Sequence, residues 1–127
     1  MRHFRLEEFR CPCGCLSEVM HQDFLLVLDQ ARELAGVPFQ VSSGFRCIRH
    51  NRKVGGSSGS LHVQGRAADL TPDNSTSTAY WRGRALYGIM NAALDLGGCF
   101  DVVLYPTHLH LELDKLGERA PVAVYLA

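Results

Sequence analysis

The chain lacks an excess of charge of either sign: 13 Lys and Arg stand against 13 Asp and Glu in 127 residues. Nothing global therefore draws it to nucleic acid or to an anionic membrane. It also lacks any apolar run long enough to span a bilayer. The opening Met1-Arg2-His3-Phe4-Arg5-Leu6-Glu7-Glu8 offers no stretch suited to a signal-peptide core. Internal repeats and long low-complexity segments are missing too. The five cysteines are an odd set, which argues against a fully paired disulfide scaffold and fits a reducing compartment. These absences lead to the expectation of a cytosolic start and of a monomer that binds neither nucleic acid nor membrane.

What is present suits one packed unit spanning 1–127, since 46% hydrophobic content is enough for a single core at this length. From Asp23 to Ala35, Phe24, Val27, Leu28, Ala31, Leu34 and Ala35 recur at three-and-four spacing, and Gly36 with Pro38 ends the pattern. That predicts a helix. A second helix is predicted over Ser77 to Leu96, with Leu86, Ile89, Met90, Ala93 and Leu96 as its apolar stripe and Gly97-Gly98 after it. Phe39-Gln40-Val41 reads as a short strand, Cys47 to Lys53 as a short helix, and Val54 to Ser60 as a Gly/Ser-rich loop. Asp101 to Tyr105 and the alternating His108-Leu-His-Leu-Glu-Leu113 read as a hairpin turning at Pro106-Thr107. Two main helices against a small, mainly antiparallel sheet make an α+β fold.

Strand alternation sends His108, His110 and Glu112 to one face and the three leucines to the other. A second cluster is Ser60-Leu-His62-Val-Gln-Gly65-Arg-Ala67-Ala-Asp69. Fully extended, His62 and Asp69 would stand roughly 23 Å apart, so the chain must bend for both to reach one ion. Gly65 permits a bend with positive φ, and Ala67 and Ala68 let the returning backbone pack closely. With one strand histidine added, the set is two imidazoles and a carboxylate, the composition of catalytic zinc sites that keep a position open for water. Spacing alone leaves His108 and His110 as equal alternatives for that ligand.

Ser43-Gly44-Phe45-Arg46, then Ser60-x-His62-x-x-Gly65-x-Ala67-x-Asp69, then His108-x-His110 resembles the zinc D-alanyl-D-alanine carboxypeptidase family, of the lysostaphin, D-Ala-D-Ala metallopeptidase and hedgehog fold group. The resemblance runs from about Phe9 to Glu112 and is nearest to short phage and prophage members. It implies a zinc ion on His62, Asp69 and His110, and hydrolysis of a peptide bond in peptidoglycan stem peptides or their precursors. It further implies that Arg46 binds substrate or the tetrahedral intermediate and that His108, outside the metal shell, serves catalysis. Ser60 and Tyr105 are added as candidate substrate contacts. A phage lysis protein of this kind would be released later to the cell wall.

One departure stands out: several relatives place an acidic base three residues before the last ligand, where this chain has Thr107. Glu112 falls where short relatives carry Asp, and is read as a group supporting the ligand rather than as the base. The alternative function is a catalytically silent zinc-binding module of the same fold, in a phage structural or recognition role. Trp81 is read as a core or cleft-lining group, as is Tyr105. Arg46, Arg49, Arg52 and Lys53 form a basic segment without the interleaved aromatics of a nucleic-acid contact, read as a solvated loop with Arg46 turned into the cleft. Cys11-Pro-Cys13-Gly-Cys15 lacks the two-residue spacing of ordinary zinc knuckles. Free thiols are its default reading, and a second, structural metal completed by Cys47 or His50 is the alternative.

Overall fold

The computed structural model describes residues 1–115 and 121–127. After a 3₁₀ turn over Leu6–Phe9, the elements run α1 (Gln22–Ala35), β1 (Gln40–Ser43), α2 (Ile48–Lys53), β2 (Ala67–Thr71), α3 (Thr78–Leu96), β3 (Cys99–Leu104), β4 (Leu109–Lys115) and β5 (Val122–Leu126). The architecture is α+β. The five strands form one sheet in the order β1-β2-β4-β3-β5, antiparallel except for the parallel pair β3 and β5. Among the described residues no helix is long and apolar enough to cross a membrane.

Helix α1 buries Phe24, Leu25, Val27, Leu28, Ala31 and Ala35, and Gly36 ends it in the left-handed region at φ 67°. Arg84 from α3 donates to the carbonyls of Ala35 (2.8 Å) and Leu34 (3.2 Å), supplying partners and positive charge to the last turn of α1. Helix α3 starts at Ser77, whose Oγ accepts from the Tyr80 amide. Its buried face is Trp81, Ala85, Gly88, Ile89, Ala92 and Ala93. This corrects the expected stripe: Ile89 and Ala93 are buried, but Met90 and Leu96 are exposed. The reason is close helix packing. A Cβ on Gly88 would lie 2.2 Å from the Ala31 carbonyl, so the small residues, not the large ones, face α1. Trp81 is core, with its indole N–H donating to the Pro38 carbonyl at 2.6 Å.

The helices cover the sheet face that carries Ala68, Leu70, Leu109 and Leu111, all fully buried in the core with Phe100 and Val102. Strand β2 was not anticipated as a strand, because its Ala-Ala-Asp start reads as a close-packed return of the chain. It lies in the sheet interior beside β4, where small side chains suit burial on both faces. Strand β5 was not anticipated either. Asp69 stands directly opposite His110, and Ala67 opposite Glu112, in the β2–β4 register. Directly paired antiparallel residues project to the same face, so Asp69 and His110 share the side away from the helices.

The bend before β2 is a run of turns from Ser60 to Arg66 closed by Gly65→His62 (3.3 Å) and Arg66→Leu61 (2.9 Å) hydrogen bonds. Gly65 has φ 69°, and a Cβ there would sit 2.2 Å from the Val19 carbonyl. Gly65→Ala combines left-handed strain with a backbone clash and is expected to cost more than about 1 kcal/mol. Chemical denaturation of the variant, with a midpoint unchanged from the parent, would contradict this.

Candidate metal centre

Asp69 is delivered by the middle of β2, His110 by the facing position of β4, and His62 by the turns that precede β2. His62 and Asp69 are buried, and the His110 side chain is 16% exposed. His62 Nδ1 lies 2.8 Å from the Gly44 carbonyl. A carbonyl only accepts, so Nδ1 carries the hydrogen and Nε2 is left with a free lone pair. That Nε2 lies 3.5 Å from Asp69 Oδ1. His110 Nδ1 lies 2.8 Å from the same oxygen, and its Nε2 lies 2.7 Å from Glu112 Oε1. One donor atom from each of His62, Asp69 and His110 falls within 4.8 Å of the others, so the three could hold a metal ion.

The donor chemistry fits zinc. Tetrahedral bonds of about 2.1 Å put ligand atoms about 3.4 Å apart, close to the His62–Asp69 separation. Each histidine turns its other nitrogen to an oxygen, the Gly44 carbonyl or the Glu112 carboxylate, the arrangement that fixes ring orientation in metal sites. Glu112 is thus engaged with His110 in the supporting position expected for it.

Without metal, the proton holds this cluster together. Burial would raise the pKa of Asp69, but the hydrogen bond from His110 and the nearby His62 outweigh it and keep the carboxyl well below its usual range. Burial likewise would lower that of His110, yet its bonds to Asp69 and Glu112 prevail and raise it to about 9. Glu112 is held below the usual range by its bond to His110. His110 is then an imidazolium between two carboxylates, donating from Nδ1 and Nε2.

The sign of the pH dependence follows. His110's contribution to the stability of the metal-free fold is complete below about pH 6.5 and is lost as pH rises through about 9. A metal on Nδ1 must displace that proton, so zinc affinity at this site is expected to rise about tenfold per pH unit from neutrality and to level off near pH 9. Chelator competition checks this, alongside an NMR titration of the His110 ring in metal-free protein. An affinity flat from pH 7 upward would contradict it.

Arg46 and His108 approach the other carboxylate oxygen: Arg46 Nη2 is 3.7 Å and His108 Nε2 3.9 Å from Asp69 Oδ2. Arg46 is turned inward from the basic segment and steadied by Ser43 Oγ (3.3 Å) and Asn51 Oδ1 (3.4 Å). His108 Nδ1 is 2.9 Å from Thr107 Oγ1, and its ring stacks on Tyr105 at 4.6 Å. Ser60 Oγ accepts from the His62 amide at 3.3 Å. Arg46, Ser60, His62, Asp69, Tyr105, His108 and His110 line one open cleft of about 330 Å³.

Two supporting groups were not read from the sequence. One is the Gly44 carbonyl, which has no side-chain signal. The other is Asn51, a buried residue of α2 that donates from Nδ2 to the Ser57 carbonyl (2.8 Å) and so ties down the Gly/Ser-rich loop. A solitary amide amid arginines gives no sequence cue to such burial.

Comparison with known proteins identifies the family. The peptidase M15 family model matches residues 2–85, a span that includes His62 and Asp69 and ends before β4. Among solved structures, the L-Ala D-Glu endopeptidase ChiX of Serratia marcescens superposes with a TM-score of 0.60 at 23% sequence identity, covering 74% of this chain and 80% of that one. The likeness is one of fold. No curated protein matches the chain. With two thirds of its length in the family match and a zinc-type donor set in the cleft, the chain belongs to the M15 family of zinc-dependent peptidases.

Proposed function

We propose that this chain hydrolyses a peptide bond in peptidoglycan stem peptides or their precursors, with zinc held by His62, Asp69 and His110. The observation that carries the reading is the clustering of Arg46 and His108 on the far oxygen of Asp69, inside the cleft that the three donors line. When bound, zinc lowers the pKa of water and polarises the scissile carbonyl. His62 and His110 would hold it through Nε2 and Nδ1, because their other nitrogens are committed to Gly44 and Glu112. Arg46 offers a fork of donors to a substrate carboxylate or to the oxyanion of the tetrahedral intermediate. His108 lines the cleft with Nε2 3.9 Å from Asp69 Oδ2, which supports its reading as the proton carrier.

Thr107 contributes no acid, but its hydroxyl orients His108, so the proton carrier is held without the carboxylate that several relatives use. The cleft is open, which suits a peptide passing through it as well as a terminal residue, and the structural neighbour is titled an L-Ala D-Glu endopeptidase. An internal stem bond is therefore tested alongside D-Ala-D-Ala. Purified peptidoglycan and a soluble stem pentapeptide are digested with zinc-loaded protein, and the products are identified by mass spectrometry. Cleavage that disappears on chelation is expected. Intact substrates at stoichiometric, zinc-loaded protein would instead support the silent module.

A further inference from the structure

The CPCGC segment takes no part in the cleft, yet it is not a stretch of scattered thiols. Cys11, Cys13 and Cys15 come together with Cys47, which lies 36 positions after Cys11, and all four sulfurs fall within 4.8 Å of one another. Cys11 and Cys13 are 3.5 Å apart, Cys13 and Cys47 3.5 Å, and Cys11 and Cys47 3.8 Å. Four thiolates around one ion at about 2.3 Å have tetrahedral edges of about 3.8 Å. A disulfide needs a pair at about 2.05 Å and would use only two of the four. Cys11, Cys13, Cys15 and Cys47 are thiols rather than disulfide partners, and the four converge on a point.

The surroundings match a closed tetrathiolate site. The Cys47 amide donates to Cys11 Sγ and the His50 amide to Cys47 Sγ, each at 3.4 Å, as backbone N–H groups do toward anionic sulfur. The Arg49 guanidinium lies beside the cluster, its pKa raised first by Cys13, and offsets the net negative charge that four thiolates leave on a divalent ion. Gly14, at φ 90°, makes the tight turn that brings Cys13 and Cys15 round one centre, and the Cys11 amide closes the loop onto the Ser17 carbonyl at 2.8 Å. His50 is not in the set.

We propose that Cys11, Cys13, Cys15 and Cys47 bind a second, structural zinc ion, closed to solvent ligands. The thiols ionise as the metal binds and their protons go to solvent. No oxidant is involved. The ion joins the N-terminal segment to the residue directly after Arg46. Along the same junction Phe45 donates to the Phe9 carbonyl (2.8 Å), Gly44 packs against Phe9 too tightly for a Cβ, and the Gly44 carbonyl holds His62. The tetrathiolate site is thus a clamp on the backbone that positions Arg46 and His62.

The test uses the full chain, purified under reducing conditions, stripped and reloaded. Elemental analysis should find two zinc ions per native chain and one in Asp69→Ala, which leaves the thiols untouched. Cobalt-loaded Asp69→Ala should show intense sulfur-to-cobalt charge-transfer absorption with tetrahedral d–d bands. Cys15→Ser, at an exposed position, should lose one zinc per chain and that absorption. Thiol-reagent titration of the native chain supplies a readout independent of any variant's folding: zinc should slow four of the five cysteines. Zinc-independent thiol reactivity, or cobalt-loaded native protein without thiolate charge transfer, would overturn the proposal. Neither measurement depends on peptidase activity, so failure of the proposed function and failure of this inference are distinguishable.

Discussion

Asp69→Ala is expected to lose zinc from the cleft and, with it, hydrolysis. Asp69 contributes the oxygen that both histidines share, 2.8 Å from His110 Nδ1 and 3.5 Å from His62 Nε2, and its second oxygen faces Arg46 and His108. Removing it leaves His62, His110, Arg46 and His108 without the carboxylate they share. Metal-assisted polarisation and water activation are worth several kcal/mol, so kcat/KM should fall by about a thousandfold or more. Asp69→Asn separates charge from shape, since it keeps the packing of β2 but removes the carboxylate. It should lose zinc affinity and activity together. Calorimetric zinc titration with parallel kinetics checks both variants, and full activity in metal-free Asp69→Asn would exclude a metal mechanism at this site.

His108→Ala has the second large effect, with a different signature. His108 stands 3.9 Å from the far oxygen of Asp69 and is tied to Thr107, outside the three donors that converge. The variant should keep zinc at the cleft site with affinity close to the parent's, and lose about a hundred- to ten-thousandfold in kcat, the usual range for removing a positioned proton carrier. His110→Ala is the control and should lose the metal. Zinc lost from the His108 variant and kept in the His110 variant would mean that the two histidines exchange roles.

Much of this site was legible because its chemistry is written in periodicity. Alternation in β4 put His108, His110 and Glu112 on one face, and the need for a bend between His62 and Asp69 singled out Gly65, which does adopt φ 69°. Spacing left His108 and His110 as alternatives; the resemblance named His110, and in the register Asp69 stands opposite that residue. What escaped the sequence has a common cause. Strand β2 begins with two alanines whose smallness is the mark of interior packing and also of a turn, and nothing local separates the two. On α3 the apolar pattern pointed to Met90 and Leu96, but helix α1 selects the face that lets it approach most closely, the one with Gly88. The Gly44 carbonyl, having no side chain, leaves no trace in residue types. The meeting of Cys47 with the CPCGC segment, a contact over 36 positions, stood in the sequence only as the alternative to free thiols, because spacing within the segment does not reveal it.

Anomalous diffraction at the zinc edge, from crystals of zinc-loaded protein, locates the catalytic ion directly. The expected result is a peak in the cleft at about 2.0–2.2 Å from His62 Nε2, His110 Nδ1 and an Asp69 oxygen, with its remaining coordination supplied from solvent. A cleft without a peak under saturating zinc, or a peak ligated by His108 in place of His110, would contradict it.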